Sequence, residues 1–168
     1  MIDIKEIKNK IITKNNLYYL IVISIIFFLD RYAKLFILNN FTEDIYYFND
    51  YMNLDLIWNI GIGFGLLSTN STLVYNSITI LIGFVILILL YFFISSTKID
   101  KLIYSVIIGG ASGNFYDRII YNAVPDFIDL HYENFHWFTF NVADIFITVG
   151  VICMITLELI GKNDKNIN

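Results

Sequence analysis

The chain has 168 residues, of which 57% are hydrophobic, 17% aromatic and only 15% charged, with a formal net charge of −4. An ordinary soluble domain carries about 25% charged residues, and a mean hydropathy of +0.66 leaves more apolar surface than so small a sphere can hide from water. The aromatic content excludes disorder, the acidic balance argues against a nucleic-acid binder, and a lone cysteine, Cys153, excludes a disulfide scaffold; a membrane protein remains.

A spanning helix needs about 20 mostly apolar residues, and four stretches meet that length. The first covers residues 17–38 and carries Asp30, Arg31 and Lys34 in its second half. Asp30-Arg31-Tyr32 follows its uncharged core without an A-x-A-like site, so a retained helix is expected rather than a cleaved leader. Residues 39–72 form the first long connection. Within it, Asn53-Leu54-Asp55-Leu56-Ile57-Trp58 alternates polar and apolar before its final pair, a strand-like pattern. Gly61, Gly63 and Gly65 follow and oppose a helix. A small β element at the membrane surface is expected there, with Trp and Tyr at the interface.

The second span is expected over 73–94, the third over 102–121, and the fourth over 137–160. Residues 122–136 make a second outer loop, aromatic and acidic. Eight of the eleven basic residues (Lys5, Lys8, Lys10, Lys14, Lys98, Lys101, Lys162 and Lys165) lie in the two tails and the connection between spans two and three. Connections 39–72 and 122–136 contain none. Basic residues are retained on the cytoplasmic side, which predicts both termini in the cytoplasm. The expectation is one membrane-embedded domain over 1–168, an all-α polytopic membrane protein with four transmembrane helices and a small outer β element.

Ionisable residues inside such a chain are functional candidates, because hydrocarbon cannot solvate them. Asp30 and Lys34 stand four apart, acid first, the favourable order for a pair on one helix face. Taken alone, a structural salt bridge is the favoured explanation of the pair. Gly109-Gly110-Ala111-Ser112-Gly113 is a run of small residues that lets helices approach closely. Asn114, Asp117 and Arg118 follow on adjoining turns, facing either a partner helix or a polar cavity. Asn141, Asp144 and Thr148 share a face of the fourth span. Asp126 follows Pro125, the only proline, which fixes its own φ and pushes Val124 towards an extended backbone.

Two carboxylates meeting near one surface cannot both ionise, so one holds a proton while the other acts as a base. Such a pair activates water for attack on a carbonyl and protonates the leaving amine. Spacing alone does not bring Asp126 and Asp144 together. His131 and His136 lie five apart without an H-E-x-x-H pattern, so a zinc site there is a disfavoured alternative and no metal is expected; Cys153 lies among apolar residues where a thiol serves packing. Two rival readings use the same residues: a proton-relay or transport protein lined by Asp30, Arg118 and Asp144, and an assembly protein that packs through its glycines.

Five ordered blocks resemble the bacterial lipoprotein signal peptidase (signal peptidase II) family over nearly the whole chain. Asp30-Arg31-Tyr32-Ala33-Lys34 is similar to its D-x-x-x-K, and Asn59-Ile60-Gly61-Ile62-Gly63-Phe64 to its N-x-G-x-A-F. Gly109-Gly110-Ala111-Ser112-Gly113-Asn114-Phe115-Tyr116-Asp117-Arg118 resembles G-G-x-x-G-N-x-x-D-R, Val124-Pro125-Asp126-Phe127 resembles V-x-D-F, and Asn141-Val142-Ala143-Asp144 resembles N-x-A-D. Gly63 stands where the family usually has Ala, and Pro125 where it often has a β-branched residue.

The resemblance implies an intramembrane aspartyl protease that cuts the signal peptide of a prolipoprotein before its diacylglyceryl-modified cysteine. It implies Asp126 and Asp144 as the catalytic pair, with Asp30, Lys34, Asn59, Gly61, Asn114, Arg118, Asn141 and Ala143 shaping or supporting the site. It further implies an outer β-cradle and a short outer helix, no cofactor, contact with membrane lipids and sensitivity to globomycin-type inhibitors. The place implied is the bacterial inner membrane, with the site near the outer face, and a monomer is expected.

Overall fold

A computed structural model of the chain describes residues 14–41, 45–61, 72–96 and 98–166. Four long helices, α1 (Lys14–Asn40), α2 (Thr72–Ser95), α3 (Lys98–Tyr121) and α4 (Val142–Asn166), accompany four strands. The strands are β1 (Tyr46–Asn49), β2 (Met52–Asn59), β3 (Val124–Tyr132) and β4 (Phe135–Phe140), in one antiparallel sheet of order β1-β2-β3-β4. Gly63 and Gly65, and any short outer helix built on residues 62–71, lie outside the described residues, as do Lys5, Lys8 and Lys10. The chain leaves α1 for β1, enters α2 after β2, leaves α3 for β3 and enters α4 after β4. All four crossings put the sheet at one end of the helices, with the α2–α3 connection at the other.

Local chemistry explains where the elements stop. Asn122 adopts a positive φ of 56°, the left-handed turn that commonly ends a helix and that Asn tolerates, so α3 gives way to β3. Asn49 accepts the Tyr51 amide through its side chain at 2.9 Å, an Asx-type turn that links β1 to β2. Glu133, with φ 53°, closes the tight connection between β3 and β4. Pro125 is the second residue of β3, where its missing donor is tolerated near a strand start.

α3 is the central helix and packs against α1, α2 and α4. Its glycines set those approaches. A Cβ on Gly109 would sit 2.9 Å from Cβ of Ile26 on α1, and one on Gly110 would sit 2.6 Å from the Ala143 carbonyl oxygen on α4. A Cβ on Gly113 would collide with the carboxylate of Asp30. Gly109 and Gly113 share the face against α1 and Gly110 turns to α4, so both approaches need the absence of a side chain.

Polarity is distributed inside-out relative to a soluble protein. Asp30, Lys34, Asp117 and Asn141 are fully buried, whereas Leu73 is 79% exposed and Ile80 73%. An apolar exterior around a polar interior suits a hydrocarbon surround.

The expectation of an all-α chain with four transmembrane helices is overturned in two respects. The strands form a substantial sheet that includes residues 124–140, read from the sequence as an outer loop and the start of the fourth span; Trp137 lies in β4, and α4 begins only at Val142. Among the described residues, two helices are long and apolar enough to cross a membrane, Thr72–Ser95 and Val142–Ile160. The difference lies in α1 and α3. Asp30, Arg31 and Lys34 interrupt the first, and Lys98, Asp100, Lys101, Asp117 and Arg118 bracket a glycine-rich middle in the third. Their length passed for a span, while Asp30, Arg31, Lys34, Asp117 and Arg118 are buried in the core. Cys153 also differs from expectation, being exposed on α4.

Candidate active site

The site forms where α1, α3 and the first turn of α4 meet β2 and β3. It is best built from α4 outward. Asn141 precedes the helix and accepts the Asp144 amide through Oδ1 at 3.1 Å, while Asp144 Oδ2 accepts the Asn141 amide at 3.1 Å. This reciprocal pair is a capping box, satisfying two amide donors that a helix start leaves open. A third is met from another helix: Asp30 Oδ1 accepts the Ala143 amide at 2.9 Å. Ala143 is fully buried, and its carbonyl packs against Gly110. The N-x-A-D block is thus a cap, a small residue admitting Asp30 and α3, and a carboxylate fixed to its own helix.

Lys34 lies at the centre of the charge network. Its Nζ is 2.8 Å from Asp30 Oδ2, 2.7 Å from Asp117 Oδ2, and donates to Asn114 Oδ1 at 2.7 Å. Arg31 pairs with Asp117 from the other side and lies over the rings of Tyr116 and Tyr121. The Asp30–Lys34 pair expected from i, i+4 spacing is therefore present, and Asp117 joins it. Asp117 is an ionisable candidate in the sequence that the resemblance does not place in the site, and Arg31 is in neither set. Both are neighbours of motif residues, and their full partnership depends on α1 meeting α3.

Three asparagines present their amide nitrogens to the two remaining carboxylates. Asn59 Oδ1 accepts the Gly61 amide at 2.8 Å, so its Nδ2 donates to Asp126 Oδ2 at 2.8 Å. Asn141 Oδ1 is held by the Asp144 amide, so its Nδ2 donates to Asp126 Oδ1 at 2.6 Å. Asn114 Oδ1 is held by Lys34, and its Nδ2 donates to Asp144 Oδ1 at 2.8 Å. In each case a donor occupies the oxygen end, which leaves the NH₂ end facing an acid. Asn141 touches both Asp126 and Asp144, so the two carboxylates share a supporting residue. Register explains the Asn59 contact: Asn59 pairs with Val124 and Ile57 with Asp126 in the β2–β3 ladder. Asn59 and Asp126 are diagonal neighbours on one face.

Asp126 and Asp144 line one cavity of about 280 Å³ with Asn59, Asn114, Arg118 and Thr148. Arg118 is buried, donates to the Gly61 carbonyl oxygen and lies over the Tyr75 ring. Its Nε and other terminal nitrogen have no hydrogen-bond partner among the described residues. Burial pushes the Asp126 carboxyl up to about 6, and the Asp144 carboxylate adds to the rise. Hydrogen bonds from Asn59 and Asn141, and the charge of Lys34, oppose it. A second, apolar groove of about 220 Å³ is lined by Phe138, Phe140, Ile145 and Val149, and reaches Asp144 and Thr148 from the other side. Asp144 thus stands between a polar cavity and an apolar groove.

Such an arrangement can hold one proton between two carboxylates and offers donors for a carbonyl oxygen. Among the described residues, the site brings together every position singled out from the five blocks.

The family Signal peptidase (SPase) II matches residues 22–160 of the chain. The lipoprotein signal peptidase of Pelagibacter ubique is 51% identical over 161 residues, covering 94% of this chain and 96% of that protein. The lipoprotein signal peptidase of Anaplasma phagocytophilum is 40% identical over 152 residues, covering 88% and 95% respectively. A solved bacterial membrane enzyme superposes with a TM-score of 0.74 at 29% identity, covering 88% of this chain and 91% of its own.

Proposed function

The chain belongs to the signal peptidase II family, and on that premise we propose that Asp126 and Asp144 are its catalytic pair. It is a membrane protease that acts on prolipoproteins, hydrolysing the bond before the diacylglyceryl-modified cysteine and releasing the signal peptide. The observation that carries the assignment is the shared support of the two carboxylates by Asn141 inside one cavity.

With one proton on the pair, the ionised carboxylate takes a proton from water as its oxygen attacks the scissile carbonyl. The protonated partner donates to the carbonyl oxygen as charge develops there. Collapse of the tetrahedral intermediate breaks the C–N bond, and a carboxyl proton passes to the departing nitrogen. The products are the signal peptide with a new carboxylate and a lipoprotein with a free amino group on its cysteine. The unpartnered nitrogens of Arg118 supply donors for backbone carbonyls of the substrate. The apolar groove beside Asp144 fits acyl chains, so lipid and peptide approach the acid from its two sides.

The sheet end of the helices faces the outer side of the inner membrane, because Lys98 and Lys101 lie at the opposite end and basic residues favour the cytoplasm. Both termini are then cytoplasmic. The enzyme acts as a monomer, and globomycin-type inhibitors occupy the cavity.

The direct test incubates purified protein in lipid with diacylglyceryl-modified prolipoprotein and follows release of the signal peptide. Cleavage of the modified form, blocked by globomycin, is expected; cleavage blind to the lipid, or none, removes the assignment. A pH series tests the shared proton. kcat/KM should fall as pH rises through about 6, where the free enzyme loses the proton held at Asp126, because no acid then remains. It should fall again at low pH, when the second carboxylate protonates and no base remains. A plateau running unbroken far above pH 6 contradicts a proton-sharing pair.

A further inference from the structure

We propose that Asp129, His131 and His136 form a binding site for a divalent transition-metal cation of the zinc class, on the face of the sheet opposite the catalytic pair. The β3–β4 hairpin assembles it. His131 and His136 are direct cross-strand partners, and their rings stack at 5.2 Å with 25° between planes. Asp129 lies two residues before His131 on β3 and so shares its face. One carboxylate oxygen, Asp129 Oδ2, is 2.7 Å from His136 Nδ1 and 3.5 Å from His131 Nδ1. One ligand atom from each of the three residues lies within 4.8 Å of the others.

Side-chain exposure and hydrogen bonding separate this cluster from an ordinary surface triad. Asp129 is 3% exposed and His131 6%, yet among the described residues His131 Nδ1 is buried without a hydrogen-bond partner. A buried polar atom of this kind calls for a ligand. A cation bound by both imidazoles and the carboxylate would satisfy this nitrogen as well as the acid.

The dimensions fit. Zinc–nitrogen and zinc–oxygen bonds of about 2.0–2.1 Å place tetrahedral ligand atoms about 3.3 Å apart. The His131–Asp129 separation of 3.5 Å is close to this value, and the 2.7 Å contact opens by moving His136, whose side chain is 54% exposed. Two imidazoles with one carboxylate select zinc, copper or nickel over magnesium or calcium. The fourth position is left open on the exposed side.

The site is separate from the proteolytic one. Asp126 and Asp129 are three residues apart on β3, an odd step that puts them on opposite faces. The irregularities in both ladders fall on the neighbouring strands: β2 advances from Leu54 to Ile57 while β3 moves only from Ile128 to Asp126, and β4 moves from Phe138 to His136 while β3 moves only from Leu130 to His131. β3 itself is regular. A bound cation would clamp the turn end of the hairpin and fix the strand that carries Asp126.

The chain contains only two histidines, so the test is specific. Full-length protein, stripped of metal with a chelator in detergent, is titrated with zinc chloride by calorimetry. One zinc per chain is expected, with binding weakened about tenfold or more in His136→Ala; His136 is exposed, so the variant keeps its fold. Cobalt(II) should give tetrahedral visible absorption in the wild type and not in His136→Ala. Asp126→Asn should bind zinc as the wild type does. Absence of saturable binding, unchanged affinity in His136→Ala, or loss in Asp126→Asn alone would each overturn the proposal, the last by moving the metal to the catalytic carboxylates.

Discussion

Asp126→Asn and Asp144→Asn are each expected to reduce prolipoprotein cleavage below detection in protein that still folds. Loss of positioned acid–base catalysis alone costs about 10²–10⁴-fold, and here a single substitution removes either the base or the acid from a two-member pair. The replacements are nearly isosteric. Asp126 accepts amide donors at both oxygens, from Asn59 and Asn141, so an asparagine there keeps one of the two bonds. Asp144 likewise accepts from Asn114 and from the Asn141 amide. One misplaced buried bond costs about 1–3 kcal/mol, enough to lower a melting temperature but not to unfold the chain. Signal-peptide release is measured beside a thermal melt of each purified variant. Full processing by either variant would remove that residue from the chemistry, whereas lost activity together with a collapsed melt would point to folding instead.

Lys34→Met carries the largest expected effect on stability. Lys34 is fully buried and neutralises Asp30 and Asp117 together. Removing one partner of a buried ionic network costs about 3–5 kcal/mol, because charges are left uncompensated in a poorly solvated interior. Arg31 still pairs with Asp117, so the stranded charge is Asp30. Adding Asp30→Asn should therefore restore part of the loss, since asparagine keeps an oxygen for the Ala143 amide while shedding the charge. The coupling is read from the thermal stabilities of both single variants and the double variant. A double variant that loses as much as the two singles summed would show that Lys34 and Asp30 act independently. Activity should track stability in Lys34→Met, since Asp30 seats the helix start that carries Asp144.

These two outcomes differ in what the sequence already disclosed. Asp126, Asp144, Asp30 and Lys34 stand out in a chain with so few charges, because a carboxylate or ammonium among apolar residues must find a partner or work. The five blocks then gave each a place in a known pattern. The β3–β4 hairpin was missed for a local reason. Val124–Tyr132 lacks clean alternation, with Pro125 beside Val124 and Phe127 beside Ile128, so period-two reading fails. Its turn at Glu133 and Asn134 is not one of the strong hairpin pairs. The same gap kept Asp129, His131 and His136 from being read as one cluster, since they come together only when the strands pair. α1 and α3 were overread for the opposite reason: length and average hydropathy describe a segment, not the direction in which its charged residues point.

The sequence by itself determined which residues are costly to bury and which turns could cap or break a helix, because those properties reside in single side chains and their neighbours within a turn. Only the tertiary structure decided their partners. Asn59 meets Asp126 across 67 positions and Asp30 meets the Ala143 amide across 113, distances over which no periodicity extends. The orientation of the three asparagine amides was decided there too. Each oxygen is claimed by a donor, from Gly61, Lys34 or Asp144, and two of those donors belong to the same loop or helix start while Lys34 arrives from α1. Once the oxygens are held, the nitrogens have no direction left except towards the acids.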